Sequence, residues 1–291
     1  MSQISFLCIA LLSLLLVACY PNKASSEKTA NTPPTTAPNS SRIVLLGDEM
    51  RKNILPDCIA QNICPDGSEA LFLVPPPHAT AAQTADMAHQ AALGVLVLDS
   101  ATGPLPIIRE HTLIARQAYL PLAVFLTQSE VPVSYTHLRA HETNKDLKDL
   151  LELEITEMRD LLDSYDMDGK HARIYVGYQG LQQLLADAAT LTPRQQPSTM
   201  LTVNSRRLHS YIYNLSREEG GHTMSAGDSM DIWIGGQTVH CKLVSPQTVA
   251  AGETPEVLLE AEKPLAVFEG QRFLLQQNGR PIAVGVVATA E

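Results

Sequence analysis

Leu93–Leu126 reads LGVLVLDSATGPLPIIREHTLIARQAYLPLAVFL. Leu93–Leu98 is a continuous apolar run, not an alternating one, as a strand buried on both faces requires. Gly103-Pro104-Leu105-Pro106 breaks the chain, and Ile107–Tyr119 returns at helical spacing. Leu120–Leu126 (LPLAVFL) is a second buried strand. Upstream, Ala70–Val74 (ALFLV) makes another, stopped by Pro75-Pro76-Pro77. Strands separated by helix-length segments imply βαβ crossovers and a mostly parallel sheet.

Downstream, Leu147, Leu151, Ile155, Met158 and Leu162 step at three and four with acids between, an amphipathic helix that covers a sheet. Ala172–Val176 is the next strand and Leu181–Ala188 a short helix. Thr190–Asn204 is a Pro/Thr/Gln linker. From Arg207 the pattern turns all-β. Six short apolar segments are split by Gly-Gly, Gly-Glu and Asn-Gly-Arg turns, which suits a small closed barrel or a sandwich. Trp233 and Cys241 are expected in a packed interior, Cys241 as an inert thiol.

Gly94–Leu126 resembles the GTP-binding domain of the elongation factor Tu family, most closely at Gly103-Pro104-Leu105-Pro106, Arg109-Glu110-His111 and Ala115-Arg116-Gln117. Leu150–Gly169 (LLELEITEMRDLLDSYDMDG) is similar to the helix after that family's guanine-recognition loop. Tyr211–Thr223 with Gly270–Ala288 is similar to its third, β-barrel domain. The resemblance implies a truncated P-loop GTPase-like α/β domain at 42–189, a linker at 190–206 and a barrel at 207–291. The family's second barrel has no room in the linker.

The nucleotide positions that the resemblance assigns are altered. A phosphate loop wraps its ligand with backbone N–H groups, a Lys and a Ser/Thr that holds Mg²⁺. The chain has Gly47-Asp48-Glu49-Met50-Arg51-Lys52-Asn53-Ile54 there, so only Gly47 and Lys52 remain, beside two carboxylates. Where the family places Asp-x-x-Gly-His, the chain reads Val74-Pro75-Pro76-Pro77-His78. His78 keeps the family's catalytic position, but Pro77 has no N–H to offer a γ-phosphate. His78 by itself reads as an exposed loop residue. In place of the guanine motif stands Thr127-Gln128-Ser129-Glu130, with Glu130 a carbon longer than the usual Asp. The last base-contacting turn aligns with Tyr178-Gln179-Gly180.

Ile4–Val17 is apolar and ends in Leu16-Val17-Ala18-Cys19, a length that suits a secretory core better than a bilayer span. A small residue before Cys19 resembles a bacterial lipoprotein cleavage box, which makes 1–19 a signal peptide and Cys19 its lipidated residue. Met1-Ser2-Gln3 lacks the usual positive charge, and the alternative is a buried N-terminal helix. Tyr20–Ser41 is Ser, Thr, Asn, Pro and Ala, a disordered tether of 22 residues that spans on the order of 25 Å. Export through the cell envelope follows, with Tyr20 favouring the outer membrane. Cys58 and Cys64 (CIAQNIC) are structural, either free or bridged.

Val133–Thr143 (VSYTHLRAHET) offers His137, His141 and Glu142 at helical spacing. It is nonetheless read as an insertion that resembles translated sequencing-adapter DNA, so no metal site is assigned. The 291 residues carry a net charge of −10, which advertises no nucleic-acid field. The expectation is a membrane-anchored pseudo-GTPase with a binding or structural role, no cofactor and no nucleic-acid partner. The alternative is a divergent translational GTPase that binds GTP and Mg²⁺ and delivers aminoacyl-tRNA.

Overall fold

A computed structural model describes residues 42–54, 71–99, 104–127, 140–192 and 202–290. Five strands form one parallel sheet: β1 (Arg42–Gly47), β2 (Leu71–Leu73), β3 (Leu93–Asp99), β4 (Leu122–Thr127) and β5 (Ile174–Val176), in the order β2-β1-β3-β4-β5. The continuous apolar runs are explained by their neighbours. β3 lies between β1 and β4, and successive side chains enter opposite cores. Val44, Leu46, Leu96, Leu98, Val124 and Leu126 belong to one core. Ile43, Leu45, Val95, Val97, Ala123 and Phe125 belong to the other.

Helices cover both faces. On the first lie α1 (Ala81–Gln90), α2 (Pro106–Gln117) and α3 (Ala140–Ser164), the last through Met158 and Leu162. On the second lies α4 (Gly177–Ala189), through Leu184, Leu185 and Ala188. Pro106 opens α2, where a missing N–H costs nothing. Tyr178-Gln179-Gly180 is therefore the first turn of α4 and not a loop, because the chain enters the helix directly at the end of β5. The region read as an insertion is only partly described: Ala140–Thr143 form the start of α3, and the rest lies outside the described residues. Among the described residues no helix is long and apolar enough to cross a membrane.

The all-β half is a closed six-stranded antiparallel barrel and not a sandwich. After β6 (Val203–Asn214) and the short β7 (Met224–Ser225) come β8 (Ser229–Ile234) and β9 (Gln237–Ser245). The short β10 (Thr248–Val249), β11 (Glu256–Val267), β12 (Arg272–Gln277) and β13 (Arg280–Ala290) follow. The barrel closes in the order β11-β6-β13-β12-β8-β9, while β7 and β10 pair separately. Its first strand starts at Val203, inside the stretch read as linker. Val203–Ser205 pair with Leu265–Val267 beyond a bulge in β11, which extends the ladder upstream of Arg207. Cys241 is buried in the barrel interior, as expected, and burial beside Asp231 pushes its thiol up to about 12.

Trp233 is buried, but its side chain faces the other way, out of the barrel towards α1. With Leu215, Leu274 and Val284 it joins the core beneath the helices. Its Nε1–H donates to Asp86 at 2.7 Å, and His89 meets the indole edge-on at 5.8 Å. Gln276 accepts the Ala82 N–H at 2.9 Å, and the Gly279 carbonyl accepts the Ala81 N–H at 2.8 Å. On α2, the Arg116 carbonyl accepts from Arg272 at 3.0 Å. Sheet domain and barrel thus share one apolar core edged by hydrogen bonds.

Candidate functional site

In open α/β sheets ligands bind beyond the carboxyl ends of the strands. Here that edge begins at Gly47, which ends β1 with φ of +91°. A Cβ at this position would lie 2.4 Å from the Val97 carbonyl oxygen, so only glycine fits. The next residues, Glu49–Lys52, form a single 3-10 turn capped by the Asp48 carboxylate, which accepts the Glu49 N–H at 2.5 Å.

Five backbone donors of this loop, those of Gly47, Asp48, Glu49, Arg51 and Asn53, are spent within the protein. Gly47 N–H donates to His111 Nδ1 at 2.7 Å, and Asp48 N–H to the Val97 carbonyl at 2.8 Å. Arg51 N–H reaches Asp48 O at 3.1 Å, and Asn53 N–H reaches Met50 O at 2.9 Å. His111 comes from α2 and is almost wholly buried. Burial, and then the charge of Arg51, lower its pKa to about 3. It is a neutral imidazole that accepts at Nδ1 and keeps its proton on Nε2.

The loop's carbonyls are aimed at a cation. Arg51 is buried, and its guanidinium donates to Gly47 O at 2.5 Å and Asp48 O at 2.9 Å. A third contact, at 3.5 Å, reaches the Pro75 carbonyl after β2. Burial lowers the Arg51 pKa against the opposing pull of Glu49 and Asp48, yet a guanidinium stays charged. An anion cradle points successive N–H groups at its ligand. This loop points oxygens at its own arginine.

The positions singled out in the sequence separate accordingly. Gly47 and Lys52 sit on this loop, but Lys52 lies 3.8 Å from Glu49 in a surface ion pair. His78 is exposed, three residues past the Pro75 that touches Arg51, and Val74 packs beside the second core. Glu130, Cys19, Cys58 and Cys64 lie outside the described residues. Sequence reasoning missed Arg51 and His111 as the residues that close the loop. His111 lies 64 residues from its partner Gly47, so no local pattern joins them; the Arg51 contacts to Gly47 and Asp48 are local but carry no sequence signature, and its third partner, Pro75, lies 24 residues on. Among the described residues no group of three or more His, Cys, Asp or Glu could hold a metal ion.

Two concavities flank this edge and the domain joint. One, of about 340 Å³, lies over the carboxyl ends of β4 and β5, between the 3-10 turn and α4. The other, of about 360 Å³, lies between α2 and the barrel, with Arg109, Glu110, Glu219 and Arg280 on its walls. Burial raises the Glu110 carboxyl, which Arg280 only partly offsets from 3.8 Å. Burial would raise Glu219 too, but hydrogen bonds from Tyr213, Ser216 and Tyr165 leave it lowered. Tyr165 is in turn pushed up to about 12, by burial and then by Glu219. These groups tie α3 to the barrel. No protein-family model matches the chain.

Proposed function

We propose that the protein is an elongation factor Tu-like pseudo-GTPase: a membrane-anchored binding or structural protein that keeps the scaffold and has given up the nucleotide. The observation that carries this reading is the self-satisfied loop after β1, where Gly47 N–H is held by His111 and the Gly47 and Asp48 carbonyls by Arg51. A triphosphate there would meet carbonyl oxygens, the Asp48 and Glu49 carboxylates and a lysine already paired with Glu49. Each lost charge-assisted hydrogen bond costs about 1.5–3 kcal/mol. Two or three such losses raise the dissociation constant by several orders of magnitude. The residues present therefore do not fit GTP and Mg²⁺, and no hydrolytic step is assigned to His78.

The parallel sheet followed by a closed barrel agrees with the two-domain scaffold that the resemblance implies. Calorimetric titration of GTP with Mg²⁺ into the purified protein tests the reading. No heat of binding at tens of micromolar is expected, and micromolar Mg²⁺-dependent binding would overturn it in favour of a translational GTPase. The envelope half of the proposal rests on Leu16-Val17-Ala18-Cys19 and the polar stretch after it. Incorporation of labelled palmitate that disappears in Cys19→Ala is the expected result, and an unlabelled wild type removes the anchor.

A further inference from the structure

We propose that the barrel captures the free amino end of an extended peptide, which adds to the open edge of β9 as a short strand with an apolar second residue. This concerns the barrel alone and does not depend on what the loop after β1 binds.

β9 and β11 part like a fork. Their ladder ends at Cys241–Ala261, while β9 stays paired with β8 as far as Gln237 and β11 with β6 as far as Val267. Continued register would set Pro264 opposite Thr238, and proline has no N–H for a ladder. The bulge between Glu260 and Leu265 then carries β11 away. Gly235 and Gly236, both at positive φ, make the two-residue turn between β8 and β9, so Ile234 and Gln237 are its closing hydrogen-bonded pair. Alternation from there turns the backbone N–H and C=O of Thr238 and His240 away from β8, into the fork. Val239 between them faces the interior, yet it is only partly buried, where Cys241 and Leu243 of the same row are each 1% exposed. The fork thus lacks a strand's hydrogen bonds along its edge and a side chain's cover on its inner face.

A strand that fills it has to end where the fork closes, because β11 already occupies the place opposite Lys242. Antiparallel to β9, as all strand neighbours in the barrel are to one another, it starts at that closed end. Its first residue pairs with His240, its second covers Val239 and its third pairs with Thr238. The amino group then falls in a groove of about 500 Å³ whose walls carry Arg206, His240, Lys242, Glu260 and Glu262. Residues 202–290 are described without a break, and among the described residues neither Glu260 nor Glu262 makes an ion pair. Arg206 is turned through Nε to the Ala261 carbonyl at 3.1 Å, and His240 lies 3.1 Å from Asp231. Two carboxylates are left to meet an ammonium.

Fluorescence anisotropy with the pentapeptide Thr-Val-Thr-Gly-Lys, labelled on its lysine side chain, tests this on the purified full chain. The peptide with a free amino end is expected to bind, and its N-acetylated form about tenfold more weakly, having lost a charge-assisted contact. Thr238→Pro deletes an edge N–H that β8 does not use. It is expected to weaken the peptide about tenfold with the far-ultraviolet spectrum unchanged. Glu262→Gln alters an exposed side chain. It is expected to cost the free peptide about fivefold and the acetylated one nothing. Affinity is also expected to fall as pH rises through the amino group's ordinary range of about 7.7–8.0. No binding at millimolar concentration, equal binding of free and acetylated peptides, or wild-type affinity in either variant would each overturn the proposal. So would tighter binding of an acetylated peptide that ends in Thr-Val-Thr with a free carboxylate, which would assign the groove to Lys242 and Arg206. A wild-type dimer that Thr238→Pro converts to monomer overturns it too, since the edge would then join two copies.

Discussion

His111 is the residue on which the closed loop turns, and its chemistry has a signature in pH. In the folded protein its pKa is about 3, set by burial and then by Arg51; in an unfolded chain it returns to the ordinary 6.5. Between those values the unfolded state binds a proton that the folded state refuses. Stability therefore rises with pH across this window and is lost on acidification, by at most about 1.4 kcal/mol per pH unit from this group. His111→Asn keeps an acceptor for the Gly47 N–H and removes the titration. Urea unfolding at pH 6.5 and 4.5 is expected to show the wild type losing about 2–3 kcal/mol more than His111→Asn. Equal losses would mean that this imidazole is not held neutral.

At the scale of elements, α1 depends on the barrel for its beginning. Thr80 and Gln83 form a capping box, so two of the first donors are met locally. Ala81 and Ala82 are met from the barrel, by Gly279 O and by the buried side chain of Gln276. Gln276→Ala leaves the Ala82 N–H buried without an acceptor, a cost of about 1–3 kcal/mol. Two measurements check it. The urea midpoint is expected to fall, and amide exchange at Ala82 to quicken more than exchange in α2. Arg280, mostly exposed and 3.8 Å from Glu110, is a weaker tie across the same joint.

For the whole molecule, the shared core decides cooperativity. Leu215, Trp233, Leu274 and Val284 leave the barrel wall to pack under α1 and α2, in the same cluster as Leu96 and Leu126 of the sheet. The described residues of sheet domain and barrel belong to one compact unit. Unfolding followed by the fluorescence of Trp233, the one tryptophan of the chain, and by far-ultraviolet circular dichroism is expected to give coincident transitions. Two separated transitions would show that the joint is weaker than the domains it connects.

What the chain alone determined was everything with a short period or a local cause. Unbroken apolar runs marked β3 and β4 as strands buried on both faces, and spacing of three and four marked α3. Glycine pairs and Asn278-Gly279 marked the corners of the barrel. Burial on both faces, helical repetition and turn chemistry all act within a few residues, so they leave a readable pattern. Only the tertiary structure decided which way Trp233 points, that the ladder reaches back to Val203, and that Arg51 and His111 close the loop after β1. A buried polar side chain is defined by its partner: those of His111 and Trp233 lie tens of residues away, and Arg51, although its Gly47 and Asp48 partners are local, also reaches the distant Pro75 carbonyl. Their meeting is set by how the sheet, the helices and the barrel pack, and no local pattern records it.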